Sequence, residues 1–341
     1  MAHAPVSVII PSYNCGHFLE DALESVLAQT VAPAQIIVID DGSVDDTKAR
    51  MRPYLDWVQY RYQPNQGVSA ARNHALEVAS QEFIAFLDAD DVWHPQKLEL
   101  QFGVFRSYPD LGLLGARPFA WPVPQFPSLE GRDRGRVTPV SWSQLVVKNR
   151  LCTSSIIVRR AILDRAGRFD TEMQGPEDRD VWLRVTEIAR TAILELPLCG
   201  LREVPGSVSK HAERCQAGML RILHKLDQRQ AWHGRWLLRR KAYSYVFHSS
   251  AYLFGALNRY PRAMGCSLRS FLWYPLPYRL TEVIKIGERP RRFFVNLLRW
   301  WSLKAPDLVV DMRHAVEPNA VQKLAVSRRS QGAHAWAIVS T

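Results

Sequence analysis

The chain has 341 residues, 47% of them apolar and 23% charged, a balance that buries a core and excludes a disordered chain. Its formal charge of +11 divides unevenly: residues 1–200 hold 20 basic and 25 acidic side chains, whereas residues 201–341 hold 24 and 8. An acidic front joined to a basic back excludes a uniformly basic duplex-DNA binder and points to an acidic chemical site beside a basic docking segment.

No uninterrupted apolar run approaches the ~18 residues that cross a bilayer, so no transmembrane helix is expected. The N-terminal stretch MAHAPVSVIIPSYN has no basic leader, and Ser7 and Pro11 interrupt its apolar part, so no signal peptide is expected. Cys15, Cys152, Cys199, Cys215 and Cys266 form no CxxC pair. Their odd number and wide spacing argue against a zinc cluster or disulfide framework and fit a reducing cytoplasm. Neither GxGxxG nor GxxxxGK[ST] occurs.

In chain order, Val6 to Ile10 is a short β-branched strand ended by Pro11. Residues 18–29 carry Phe18, Leu19, Ala22, Leu23, Val26 and Leu27 at helical spacing. Ile36 to Ile39 is a second strand, ending in Asp40-Asp41-Gly42-Ser43, and Asp45 or Asp46 can cap the next helix. Trp57 to Tyr62 reads as a third strand, residues 68–79 as a helix and Phe83 to Leu87 as a fourth strand. This alternation predicts an α/β fold, a mostly parallel sheet with helices on both faces and ligands at the carboxyl ends of its strands. Between Arg117 and Pro139, prolines 118, 122, 124, 127 and 139 predict a long surface loop, placed to act as a lid or to contact an acceptor. Ser154 to Arg159 and Ala192 to Leu196 then read as strands, and Ala161 to Ala166 and residues 178–190 as helices.

After about residue 210 the chain becomes helical and basic. Met219, Leu220, Ile222, Leu223 and Leu226 share a helix face. In PRRFFVNLLRWWSLK, residues 290–304, Phe293, Phe294, Leu297, Leu298 and Trp301 form another, flanked by Arg291, Arg292 and Arg299. The last roughly 25 residues are weakly patterned, with disorder as one reading. The expected organisation is a domain over residues 1–210 followed by a helical, basic, aromatic-rich region over 211–341.

Four units carry chemistry. Phe86-Leu87-Asp88-Ala89-Asp90-Asp91 puts three mutually repelling carboxylates at the end of an apolar strand. A divalent cation would relieve that repulsion, and oxygen ligands suit Mg²⁺ or Mn²⁺; a helix cap is the plainer reading of any one Asp. Asp40 and Asp41 end the second strand, where carboxylates can hold a base or ribose, although DDGS is also a common turn. In NQGVSAARN, Gly67 permits an unusual backbone angle and Arg72 could face a diphosphate or lie solvated. In GPEDRDVWL, Glu177, Asp178 and Asp180 precede an apolar helix; capping and the helix dipole account for two acids, and a general base could be the third.

The order VSVIIPSYN (6–14), VIDDGSVDDT (38–47), NQGVSAARNHAL (65–76), FLDADD (86–91) and EDRDVWLR (177–184) closely resembles the family 2 glycosyltransferases with the GT-A fold, over about residues 5–210. The resemblance implies a metal-dependent, inverting enzyme that uses a nucleoside-diphosphate sugar, often a UDP-sugar. By position, it assigns Pro11, Tyr13 and Asn14 to the nucleotide, and Asp40 and Asp41 to base and ribose, with Asp41 favoured for the base edge. Gly67 and Arg72 would lie near base and diphosphate. Asp88 and Asp90 match the DxD element, with Asp90 the preferred metal ligand. Glu177 and Asp178 match the ED motif, with Asp178 the chosen catalytic base. Many relatives carry an Arg-x-His-x-x-Ser-type segment after the last core strand. Here Leu201 to Ser209 has Val204 in the His position, with His211 as a weak substitute.

The resemblance makes the expected partners a nucleotide-sugar donor and a saccharide or lipid-linked saccharide acceptor. Trp232, Trp236, Trp273, Trp300 and Trp301, set among Arg and Lys over residues 211–304, fit an anionic membrane surface or packing on the core, with nucleic acid not expected. The expected location is the cytoplasm or the cytoplasmic face of the membrane. Other classes consistent with parts of the pattern are a non-catalytic binder on a degenerate GT-A fold and a nucleotidyltransferase. The first should release no UDP and the second should release pyrophosphate.

Overall fold

A computed structural model describes residues 3–173, 175–204, 211–276, 278 and 288–304. The first strands are β1 (Ala4–Ser12), β2 (Pro33–Asp40), β3 (Gln59–Tyr62) and β4 (Phe83–Phe86), joined through α1 (Gly16–Leu27), α2 (Thr47–Arg50) and α3 (Val68–Val78). They run parallel in the order β3-β2-β1-β4. The chain continues through β5 (Val92–Trp93), α4 (Lys97–Ser107), β6 (Leu111–Trp121), β7 (Val137–Pro139) and α5 (Trp142–Leu145). It then forms β8 (Ile157–Arg159), α6 (Arg160–Ala166), α7 (Glu177–Ile188) and β9 (Arg190–Arg202). β8 is antiparallel to both β4 and β6, β6 is parallel to β9, and β5 and β7 are antiparallel to β9. Among the described residues, six of the nine strands therefore share one direction, as expected of a mostly parallel sheet.

The central strands are apolar on both faces because both faces are covered. With a side-chain period of two, Ile9, Ile37, Ile39, Ile84 and Phe86 point to one core with α3 and α7. Val8, Ile10, Val38, Ala85 and Leu87 point to the other with α1 and α4.

Three stretches differ from the sequence-based expectation. Residues 117–121 are strand rather than loop, and the irregular stretch is 122–136, closed by β7. Pro118 is tolerated because the β6–β9 ladder shifts register on both sides of Arg117, and a proline fits where the ladder is bulged. Arg117 also forks onto Glu195 of β9 at 2.6 and 2.9 Å. The last strand, expected over 192–196, runs from Arg190 to Arg202. Residues 154–155 belong to a 3-10 turn, Thr153–Ser155, before β8.

Among the described residues four helices follow: α8 (Ala212–Gln228), α9 (Trp236–Ala256), α10 (Tyr260–Trp273) and α11 (Glu288–Lys304). The expected division near residue 210 is not a break in the core. Ile222, Leu223 and Leu226 of α8, Trp232, and Ala242, Tyr243 and Val246 of α9 join the cluster that contains Ile9, Phe86 and Trp182. Trp232 meets Trp142 edge-on at 5.7 Å, and Trp273 stacks on Tyr243 at 4.3 Å. Packing on the core therefore accounts for part of the aromatic tail, whereas Trp236 and Trp301 remain exposed. Among the described residues no helix is long and apolar enough to cross a membrane. The terminal stretch read as weakly patterned lies outside the described residues.

Candidate active site

Parallel strands deliver their carboxyl ends to one edge. Ser12 pairs with Asp40 and Ile9 with Phe86, so the turns after β1, β2 and β4 emerge side by side. Pro11 itself is buried within β1, while Tyr13 is half exposed beyond the strand end. Asn14 takes a left-handed conformation, φ 50°. Its backbone N–H donates to Ser43 Oγ at 2.9 Å, and its side-chain oxygen accepts from Val44 N at 2.9 Å. The first-strand turn is thereby tied to the DDGS turn.

Asp40 and Asp41 are both buried, with different partners. Asp40 accepts from Ser43 N at 2.8 Å and from the Tyr60 hydroxyl. Asp41 accepts from Gln63 Nε2, Gln66 N and Gly67 N at 2.7–2.9 Å, so its carboxylate organises the 63–67 segment. Gly67 has φ +90° and open space where a Cβ would stand. Its lack of a side chain serves the backbone angle that starts α3.

Arg72 is not solvated. It is 3% exposed, with one terminal nitrogen 2.8 Å from Glu177 Oε1 and the other 2.7 Å from Asp88 Oδ1. Phe169 lies 5.3 Å beneath the guanidinium. Burial works against its charge, but Asp88 and Glu177 outweigh that cost and raise its pKa above the ordinary arginine value. One side chain thus couples the acidic turn at residues 88–91 to the start of α7.

In the acidic turn, burial and then Asp88 push Asp90 above the usual carboxylate range. Asp91 is pushed further, to about 8, by burial and then by Asp88. Asp91 accepts from Ser154 Oγ and from Arg202 N, which turns it inward. These acids disfavour one another's charge, the condition that a divalent cation relieves. Among the described residues no three His, Cys, Asp or Glu side chains form a metal-ligand group. Asp88 and Asp90 could supply two carboxylates, leaving other positions to phosphate and water oxygens, a donor set that suits Mg²⁺ or Mn²⁺.

α7 begins at Glu177, directly after Gly175, φ +108°, and Pro176. Asp178 accepts from Thr153 Oγ1 at 2.9 Å and from Arg179 N at 2.7 Å. Burial, and then Glu177, raise its pKa to about 6, against the opposing pull of Arg72 and the two hydrogen bonds. The turn is braced from behind by α8. A Cβ on Gly218 would stand 2.8 Å from Pro176 Cδ and 3.0 Å from Gly175 O. Lys225 of α8 reaches Asp170 at 2.6 Å and Asp180 at 3.3 Å, and Arg229 pairs with Glu187 at 2.6 Å.

The structure thus gathers Asn14, Asp40, Asp41 and Gly67 at the ends of β1 and β2, and Arg72, Asp88 and Glu177 in one ion-pair network. Sequence reasoning passed over Thr153, Ser154 and Arg202. The signal for the first two was three hydroxyls in CTSS just before an apolar strand. Arg202 stands at the Arg position of the Arg-x-His-x-x-Ser-type segment, but its contact to Asp90 O at 3.1 Å runs across the sheet and had no local signal. Val204 ends the described part of its segment, residues 205–209 lie outside the described residues, and His211 is exposed just before α8.

Residues 7–130 match the family model for glycosyl transferase family 2. Over 102 residues the chain is 42% identical to the UDP-Glc:alpha-D-GlcNAc-diphosphoundecaprenol beta-1,3-glucosyltransferase WfgD of Escherichia coli, covering 29% of this chain and 40% of that protein. The chain spans between 35% and 51% of the length of the curated relatives that match it first. Its fold is similar to Staphylococcus aureus TarS 1-349 in complex with UDP-GlcNAc, with TM-score 0.55, 16% identity and coverage of 80% and 89% of the two chains. It is also similar to the mannosyltransferase PcManGT of Pyrobaculum calidifontis in complex with GDP-Man and Mn²⁺, with TM-score 0.53, 17% identity and coverage of 88% and 87%.

Proposed function

Because this chain carries a family 2 glycosyltransferase domain on a GT-A fold, we propose that it moves a sugar from a nucleoside-diphosphate donor to an acceptor hydroxyl. The donor is a UDP-sugar and the acceptor a polysaccharide or glycolipid precursor of the cell envelope. Support for the donor comes from the UDP-GlcNAc complex of one structural neighbour, and for the acceptor from a relative named for a diphosphoundecaprenol-linked substrate. Cys15, Cys152, Cys199 and Cys266 are free cysteines, in keeping with the reducing cytoplasm as the place of the reaction.

The observation that carries the reading is the Arg72 bridge between Asp88 and Glu177. It ties the acids suited to a cation and diphosphate to the carboxylates suited to proton transfer. Asp178 takes the proton from the acceptor hydroxyl as that oxygen attacks C1 of the donor sugar. The bond from C1 to the diphosphate breaks, and the nucleoside diphosphate leaves from the opposite face, inverting the anomeric centre. Thr153 and the Arg179 N–H orient Asp178, whose raised pKa keeps it basic enough to accept a proton near neutrality. Asp90 and Asp88 would hold Mg²⁺ or Mn²⁺, which would supply positive charge against the departing diphosphate.

A donor screen by UDP release, run with Mn²⁺ and with Mg²⁺ and repeated on Asp90→Ala, tests the assignment. Release from a UDP-sugar that stops on chelation and in Asp90→Ala is expected. Pyrophosphate from a nucleoside triphosphate would instead mark a nucleotidyltransferase, and no release from any donor would mark a binder.

A further inference from the structure

After α5 the chain forms a short loop over residues 147–152, and consecutive residues of α7 hold its two ends. At one end Arg179 Nη2 donates to Leu145 O at 3.1 Å and to Val146 O at 2.8 Å. At the other, Thr153 Oγ1 donates to Asp178 at 2.9 Å. Val147 and Leu151 are buried in the core that holds Trp182, and Asn149 Oδ1 accepts from Leu151 N at 3.0 Å, which turns the chain between them. Lys148, Asn149 and Arg150 are left half-buried as the outer tip of the loop.

Topology decides which side of the site this tip occupies. β8 is antiparallel to β4, Phe86 N donates to Ile156 O at 3.3 Å, and Asp88 N donates to Ser154 Oγ at 3.1 Å. The chain therefore enters β8 from the edge that carries the acidic turn. In the sheet order β3-β2-β1-β4-β8, the turns of Asn14, Asp40 and Asp41 lie to one side of β4 and the 147–152 loop to the other. A group held at the tip stands across the acidic turn from the nucleotide end, on the side of Asp178.

Neither Lys148 nor Arg150 has an ion pair or a side-chain hydrogen bond among the described residues. The nearby carbonyls are taken, Gln144 O by the Lys148 backbone N–H and Leu145 O and Val146 O by Arg179. Burial, and then the charge of Arg150, push the Lys148 amine below the ordinary lysine value. Two cations that disfavour each other, with no acid paired to either, are stabilised by a bound anion. A diphosphate, with charges on adjacent groups and oxygens that match ammonium and guanidinium donors, suits the pair.

We propose that Lys148 and Arg150 bind the phosphate groups of an acceptor sugar carried on a diphosphate, so that a hydroxyl of that sugar meets Asp178. The acceptor role rests on the glycosyl-transfer reading, whereas the anion site does not.

Calorimetric titration of the full chain with inorganic pyrophosphate, in EDTA and at fixed ionic strength, reads the site without donor or cation. The wild-type chain should bind, and K148Q/R150Q should bind roughly tenfold more weakly with its melting temperature unchanged. K48Q/R52Q removes the same charge from exposed positions elsewhere and should bind like wild type. No binding by wild type, equal binding by K148Q/R150Q, or an equal loss in K48Q/R52Q would overturn the proposal. UDP in EDTA tells donor from acceptor diphosphate. It should leave pyrophosphate binding intact, and displacement would give the pair to the donor and overturn the acceptor role. In transfer assays K148Q/R150Q should raise KM roughly tenfold for a glycosyl-diphosphate lipid and leave KM for the matching alkyl glycoside alone. Equal shifts for both acceptors would overturn the role as well. Pyrophosphate binding without UDP release from any donor would instead overturn the transfer reading and leave the anion site standing.

Discussion

At the scale of single residues, the site is governed by which charges are left in contact. Asp178 is the sharpest case, since burial and Glu177 hold its pKa near 6. A general base must be deprotonated to act, so transfer should fall as pH drops through about 6 and level off above it. Asp178→Asn should lower turnover by about 10²–10⁴-fold with donor binding kept. A pH–rate profile without that acidic limb would remove Asp178 from the role. Lys97 is a different kind of group, fully buried over the Trp93 ring at 3.9 Å with its amine unpartnered among the described residues. Burial lowers its pKa from 10.5 to about 7. Between those values the unfolded chain holds a proton that the folded chain has lost, so this residue makes stability rise with pH across that window. Lys97→Met should therefore melt a few degrees above wild type at pH 7, and the gap should close towards pH 10. A gap independent of pH would contradict the shift. The acids at residues 88–91 and 177–180 were legible in the sequence because each run holds more carboxylates than a helix cap or a turn accounts for. Their partners were not. That Arg72 is a buried bridge and not a solvated side chain depends on two residues, 16 and 105 positions away.

At the scale of elements, short-range pattern recovered what short-range physics decides. β1, β2, α3 and β4 fall close to their expected places because their apolar periods are clean. The Arg117–Trp121 part of β6 was hidden because Pro118 reads as a loop unless the ladder is known to shift there. The segment with the most consequence is the Gly175–Pro176 turn, braced by α8. Gly218→Ala places a methyl group against backbone at 3.0 Å and proline at 2.8 Å, and neither can yield as a flexible side-chain end would. The turn must move, and with it Glu177 and Asp178. The expected result is a loss of turnover of about tenfold or more, with the melting temperature lowered only slightly. An unchanged turnover in Gly218→Ala would mean that α8 does not set the position of the proposed base.

At the scale of the whole molecule, the split of charge has a structural counterpart, but the split of the chain does not. Part of the basic excess of the back half is spent on acids of the front, as in Lys225 with Asp170 and Asp180, and Arg229 with Glu187. A fragment of residues 1–210 would expose the surface that Ile222, Leu223, Leu226 and Trp232 cover. At about 1.5–3 kcal/mol for each large buried side chain, that loss is comparable with the whole stability of a domain. The fragment should show no cooperative melting transition, whereas residues 1–278 should keep one; near-ultraviolet circular dichroism distinguishes them. The same packing sets a rule for exchanging parts between relatives. Because the helix behind the ED turn also walls the apolar core, a chimera joined at residue 210 would pair one protein's base with another's brace. A functional graft would have to carry α8 together with residues 168–187, so that the transplanted unit brings both sides of the Gly218 contact and both ends of the Lys225 ion pairs.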